Sequence, residues 1–264
     1  MNAHELFRAG RLRDAIAAMN DEVRKAPADV DRRGFLAELL AIAGNLERAD
    51  LQLDALSQVD TKAAVGVATF RHLVRAEQAR VQCFAEGRVP ELLAQPVPAL
   101  RSALEALTHL RGGNGAEARR LAEQAEAARA HPRGVADGQA FDDLRDLDDL
   151  CAGFFEVLTS NGKYYWVPVE AVTLLEFRPV ARPRDLLWRR VHMVVREGPD
   201  GEVYMPCTYI GRAEDEERFR MGRATEWLED AGGLIRGRGL RTFLVGETEK
   251  TVLELQNVEF HAGA

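Results

Sequence analysis

Five aspartates crowd into Phe141-Asp142-Asp143-Leu144-Arg145-Asp146-Leu147-Asp148-Asp149-Leu150. Clustered carboxylates are what a hard divalent cation takes. The phase does not suit a calcium loop, which needs a glycine at its sixth position and a glutamate at its twelfth. Leu144, Leu147 and Leu150 recur at three-residue steps with acids between them. That spacing predicts a short amphipathic helix with a solvated acidic face, and no metal site. A second chemistry is nucleophilic: a Cys207 thiol served by His192, or a pair of carboxylates, would make the carboxyl-terminal half a hydrolase, because such partners meet in space. The plainer reading of Met205-Pro206-Cys207-Thr208 is a buried thiol at a strand end. The six histidines form no HExxH and no pair at ligand spacing, and no GxSxG elbow occurs. No catalytic residue is assigned.

Phosphate binding is excluded on similar grounds. Gly246-Glu247-Thr248-Glu249-Lys250-Thr251 ends like a phosphate loop, but Glu249 stands where a glycine belongs and would repel the ligand. Gly232-Gly233-Leu234-Ile235-Arg236-Gly237-Arg238-Gly239 lacks the GxGxxG phase and reads as a flexible turn entering a strand at Leu240–Val245. No cofactor is expected. The most distinctive patch is Gly222-Arg223-Ala224-Thr225-Glu226-Trp227, preceded by Glu214-Asp215-Glu216-Glu217. Its structural reading pairs Arg223 with internal carboxylates and buries Trp227. Its interaction reading exposes both, as hot-spot residue types.

The elements that must position these groups divide in two. The 264 residues suit one or two domains, and 46% hydrophobic with 29% charged residues is the balance of a globular protein. No apolar run is long enough for a membrane span and the start lacks a signal pattern, so a cytoplasmic protein is expected. Residues 1–133 carry a net charge of +1 and residues 134–264 one of −8, which disfavours nucleic acid and anionic lipid as partners. Cys83, Cys151 and Cys207 form no CxxC and are read as reduced.

Up to about residue 130 the pattern is helical. Leu12, Ala15, Ile16, Met19 and Val23 form one apolar stripe. Leu6, Gly10, Leu12, Ala15 and Met19 recur 34 residues later as Leu40, Gly44, Leu46, Ala49 and Leu53, which is the tetratricopeptide period. Gly113-Asn114-Gly115-Ala116-Glu117-Ala118 is a degenerate third copy, displaced by the long helical run Thr61–Glu86 and by Pro90, Pro96 and Pro98. His131–Gly138 concentrates turn formers, and the boundary is placed there: a helical-repeat-like domain over 1–133 and an α+β domain over 134–264. In the second domain Phe155, Val157 and Thr159 alternate, Asn161-Gly162 signals a hairpin, and Tyr164–Val167 follows. Val169–Phe177, Val191–Arg196, Val203–Met205, Thr242–Val245 and Thr251–Leu255 complete the expected strands. The fold class is α+β, a mainly antiparallel sheet with one or two helices against it.

Several of these stretches, in order, resemble the ImpE family, also called TagJ or SciE-type proteins, accessory components of bacterial type VI secretion. They are Phe141–Leu150 leading into Gly162-Lys163-Tyr164-Tyr165-Trp166-Val167-Pro168, then Arg184-Asp185-Leu186-Leu187-Trp188, Met205-Pro206-Cys207-Thr208-Tyr209, Gly222–Trp227 and Gly237-Arg238-Gly239-Leu240-Arg241. The resemblance implies a non-enzymatic adaptor that binds the small subunit of the contractile sheath and so influences sheath recycling by an AAA+ ATPase. The expected mode is an amphipathic helix of that subunit lying in an apolar groove. Because the motif residues gather in 134–264, Trp188, Arg223 and Trp227 are the expected partner contacts. A helical scaffold binding through the concave face of residues 1–130 is the other non-enzymatic expectation.

Overall fold

A computed structural model describes residues 1–59, 64–230 and 232–261 of the chain. Among them, seven helices come first: α1 (Ala3–Arg8), α2 (Leu12–Lys25), α3 (Val30–Ile42), α4 (Leu46–Val59), α5 (Ala64–Glu86), α6 (Pro98–Arg111) and α7 (Gly115–Ala128). The start of the long run expected from Thr61 lies outside the described residues. Asn2 and Glu5 close a reciprocal capping box that begins α1. Both members of each equivalent apolar pair, such as Leu12 and Leu46 or Ala15 and Ala49, are buried, so the 34-residue spacing repeats one helical hairpin. Gly10, Gly44 and Gly113 end α1, α3 and α6 with φ of +83°, +78° and +74°, a left-handed conformation that a side chain resists.

The strands are β1 (Gly134–Ala136), β2 (Gln139–Phe141), β3 (Leu144–Asp146), β4 (Phe154–Leu158), β5 (Tyr164–Pro168), β6 (Val172–Phe177), β7 (Trp188–Val195), β8 (Asp200–Pro206), β9 (Thr225–Glu229), β10 (Ile235–Gly239), β11 (Thr242–Val245), β12 (Thr248–Thr251) and β13 (Asn257–Phe260). They form an antiparallel eight-stranded sheet in the order β2-β1-β13-β6-β7-β8-β4-β5, a three-stranded sheet β12-β11-β3, and a β9–β10 hairpin. Phe155, Val191, Met205 and Val258 of the large sheet share a core with Leu144 and Phe243 of the small one. The α+β expectation holds; among the described residues the second half has one α-helix of a single turn, α8 (Glu217–Arg220).

Three local expectations are corrected. Leu144–Leu150 is not an amphipathic helix but β3 followed by a tight turn, because two of its acids face buried arginines rather than water. Thr251–Leu255 is a turn rather than a strand, β12 ending at Thr251. The glycine-rich Gly232–Gly239 is not merely a turn, since Ile235–Gly239 is β10; Gly237 is small where the Tyr209 ring presses on the strand, and a Cβ there would lie 2.2 Å from it.

Helix gives way to strand between Ala128 and Gly134, but the packing does not divide there. One core built from α1–α5 also takes Leu158, Leu187, Trp188 and Met221. Another joins Cys83, Leu107 and Leu121 to Cys151, Phe154, Tyr164 and Trp166. The helices are the layer that covers one side of the β structure.

Candidate functional site

Where α5 meets the strands, charge is buried deliberately. Arg80 on α5 donates through Nε and Nη2 to both oxygens of Glu156 on β4, at 2.8 and 3.1 Å, and through Nη1 to Glu77 at 2.9 Å. Arg241 reaches Glu156 from the other side and donates to Asp146 at 2.7 Å. Tyr164 donates its hydroxyl to Glu156 and receives the Trp166 indole N–H at 2.6 Å. The Trp188 indole donates to the second oxygen of Glu77 at 2.9 Å, and Tyr209 donates to Asp146 at 2.8 Å. Asp148 in turn holds Arg236 and the Gly237 amide, each at 2.9 Å.

Taking these charges out of water is costly, so each must be compensated by its partners. Burial pushes the Glu156 carboxyl up, but Arg80 and Arg241 outweigh it and hold it at about 2. Asp146, which shares one of those guanidinium groups and lies beside Asp148, is instead raised by burial to about 6. Two of the five aspartates expected on a solvated face, Asp146 and Asp148, are therefore inside an ion-pair network linking α5, β3, β4 and the segment before β11.

The distinctive patch around residue 222 is a clasp. Arg223 donates to the carbonyls of Phe7 and Arg8 at 2.8 and 3.0 Å, the open end of α1. Arg220, one turn before it, donates to the Ala43 carbonyl at 3.0 Å, the open end of α3. Glu217 accepts the amides of Leu12 and Arg13 at 2.7 and 3.1 Å, the start of α2. Each charge complements the helix end it meets, cation to carbonyls and carboxylate to amides. The two arginines meet turns that the 34-residue period makes equivalent. Arg111 repeats the device on α5, donating to the Cys83 carbonyl at 2.8 Å.

The three expected contact residues are thus separated. Trp188 is 1% exposed and packs edge-on to Phe70, so it faces the interior of the fold. Arg223 is exposed at the surface but pairs within the chain, with backbone carbonyls rather than the carboxylates of its structural reading. Trp227 is the large surface member, 37% exposed and standing against Tyr209. The nucleophilic alternative is not assembled: the Cys207 thiol is buried, pushed up to about 12, and faces the carbonyls of Asp185 and Met205. His192 sits opposite Glu202, five residues before Cys207, and pairs with Asp200 at 3.1 Å. That alternative specifies no particular carboxylate pair, and the buried carboxylates Asp146, Asp148 and Glu156 are held by arginines. Among the described residues no three His, Cys, Asp or Glu side chains gather as a metal would require. No described helix is long and apolar enough to cross a membrane.

What composition did not reveal is a groove of about 320 Å³ between the α5–α6 connection and the sheet, lined by Leu92, Leu93, Pro96, Val97, Trp166 and Pro168. Glu197 on its rim has a left-handed φ of +50°. The only prior signal was the cluster of prolines at 90, 96 and 98, which marks an irregular connection.

Fold and site together describe a helical-hairpin array clasped to an antiparallel β domain by buried ion pairs. Residues 138–259 match the family described as ImpE protein. Over 262 residues the chain is 33% identical to the type VI secretion system accessory component TagJ of Pseudomonas aeruginosa, covering 98% of this chain and 91% of that protein. The crystal structure of protein VPA1032 from Vibrio parahaemolyticus has a TM-score of 0.91 and 29% identity, with 98% of this chain and 97% of that one covered. The chain belongs to the ImpE family.

Proposed function

We propose that this protein is a non-enzymatic accessory component of type VI secretion that acts by binding another polypeptide, the small subunit of the contractile sheath, and so influences sheath recycling by the AAA+ ATPase. The relative in Pseudomonas aeruginosa supports the system. The observation that carries the binding role is the contrast between interior and surface. Glu77, Asp146, Asp148 and Glu156 are engaged by Arg80, Arg236 and Arg241 and the Cys207 thiol faces backbone carbonyls, whereas Leu93 stands 40% exposed over the apolar Pro96–Pro168 groove. A helix presenting apolar residues at i, i+3, i+4 and i+7 is the ligand such a groove suits. This reading places the protein in the cytoplasm, with Trp227 as a further contact and Trp188 and Arg223 acting through the fold.

The test is titration calorimetry of the full chain with amphipathic-helix peptides of the sheath subunit. Leu93→Glu places a charge in the groove and should weaken binding about tenfold or more, with the circular dichroism unchanged. Unaltered affinity in both Leu93→Glu and Trp227→Ala would remove this surface from the mechanism.

A further inference from the structure

We propose that the outer edge of β9 is a strand-pairing site for an extended, basic segment of another polypeptide. The argument starts from hydrogen-bond phase. Asp230 donates its amide to Leu234 at 3.0 Å, and Leu240 donates to Ala224 at 2.9 Å, so these are the bonded pairs at either end of the hairpin. Between them the register pairs Leu228 with Arg236, Trp227 with Gly237 and Glu226 with Arg238. Bonded and non-bonded pairs alternate in an antiparallel ladder, so the N–H and C=O groups of Thr225, Trp227 and Glu229 point away from β10.

The two edges of this hairpin are treated differently. On β10 four of the six outward groups are taken: Ile235 and Asp149 exchange hydrogen bonds at 2.8 and 3.0 Å, Gly237 donates to Asp148 at 2.9 Å, and Gly239 accepts from Tyr209 at 2.9 Å. On β9, among the described residues, no group meets the outward amides and carbonyls of Thr225, Trp227 and Glu229. β5, an edge of the large sheet, shows how this chain closes an edge: Glu91 donates to Tyr164 at 2.8 Å and accepts from Trp166 at 3.1 Å. An open edge with a half-exposed tryptophan at its centre is the template that strand addition uses.

The occupant follows from the side chains. Trp227 and Glu229 share one face of β9, and Glu229 is exposed with no ion pair within 4.0 Å among the described residues. Glu226 is already paired with Arg238. A β-branched residue beside Trp227 and a lysine or arginine beside Glu229 complete the cross-strand pairs. A second copy of the chain would bring Glu226, Glu229 and Asp230 again to an edge that already carries those three acids. This surface is separate from the apolar groove, so it stands whether or not a sheath helix fills that groove.

The experiment uses the full chain and the peptide acetyl-Lys-Thr-Val-Lys-Val-Thr-amide, followed by amide hydrogen exchange in NMR. The expected result is slowed exchange at Thr225, Trp227 and Glu229 with no change at Glu226 and Leu228, which are already bonded. The same peptide N-methylated on its pairing edge should give no protection, a comparison that needs no protein variant. Glu229→Lys should weaken the unmethylated peptide about fivefold. No protection at millimolar peptide, or equal protection by the N-methylated peptide, overturns the proposal. So does protection of the same three amides in the chain alone with dimerisation in sedimentation, which would make the occupant a second copy.

Discussion

The indole N–H of Trp188 on β7 donates to the carboxylate of Glu77 on α5 at 2.9 Å, and both groups are buried. A family-motif residue in the sheet thereby satisfies one oxygen of a helix carboxylate whose other oxygen is held by Arg80. Trp188→Phe keeps most of the ring but leaves that oxygen without a donor. We expect a loss of about 2 kcal/mol in urea unfolding, against about 4 kcal/mol for Trp188→Ala, which also opens a cavity. Equal midpoints for Trp188→Phe and the parent would show that the bond contributes nothing.

Glu156 sets the acid limb of stability. Its carboxyl titrates at about 2 in the folded protein against an ordinary 4.5, because Arg80 and Arg241 outweigh burial. Between those values the unfolded chain binds more protons, so stability rises with pH from 2 to 4.5 and is fully present above 4.5. The contribution is about 3 kcal/mol. Glu156→Gln should remove this slope and destabilise the neutral protein, since two guanidinium groups then share less negative charge; thermal unfolding across pH 2–7 checks it. Asp146, raised to about 6 from 3.8, works in the opposite sense over pH 3.8–6.

Glu38 on α3 is a buried carboxyl facing Arg182, Arg184 and Asp185. Burial raises it to about 7, with Arg184 and Arg182 opposing the rise. Here the folded state keeps a proton that the unfolded chain gives up above 4.5, so stability falls from pH 4.5 to 7. Glu38→Gln should therefore stabilise the protein at pH 8 by up to about 3 kcal/mol and change nothing at pH 4. A midpoint at pH 8 that does not rise would contradict this account.

The clasp can be opened one arm at a time. Arg223→Ala should release the end of α1, and Arg220→Ala the end of α3, each costing about 1 kcal/mol. Hydrogen exchange should accelerate in α1 for the first variant and in the last turn of α3 for the second. Uniform acceleration in both would mean that the arms are not independent.

All three cysteines are buried in the native protein. Burial pushes the Cys207 thiol to about 12, so the reactive thiolate is scarce at neutral pH. Iodoacetamide should label no cysteine until denaturant is added. Rapid labelling of Cys207 in the folded chain would restore the nucleophilic reading.

The repeat was legible because each helical hairpin needs a left-handed turn and a close helix approach at fixed spacing, which sets Gly10 and Gly44, and likewise Ala15 and Ala49, 34 residues apart. The Asn161-Gly162 hairpin was legible because a tight turn has its own chemistry. Leu144–Leu150 was misread because leucines at three-residue steps suit a helix equally well. What decides the matter is Arg236 and Arg241, roughly ninety residues away, which local pattern cannot see. An acid cluster matched by the arginines of Arg236–Arg241 was the available clue. Residue type alone also could not separate Trp188, an interior donor, from Trp227, a surface ring, since both carry the same side chain and only the fold sorts them.

The clasp reverses the order in which the molecule can be completed. The Arg8 carbonyl leaves the ribosome 215 residues ahead of the guanidinium that covers it. The first helices therefore wait through most of synthesis with bare ends, and a nascent chain stopped before Arg220 would display them unfinished to any chaperone or protease nearby.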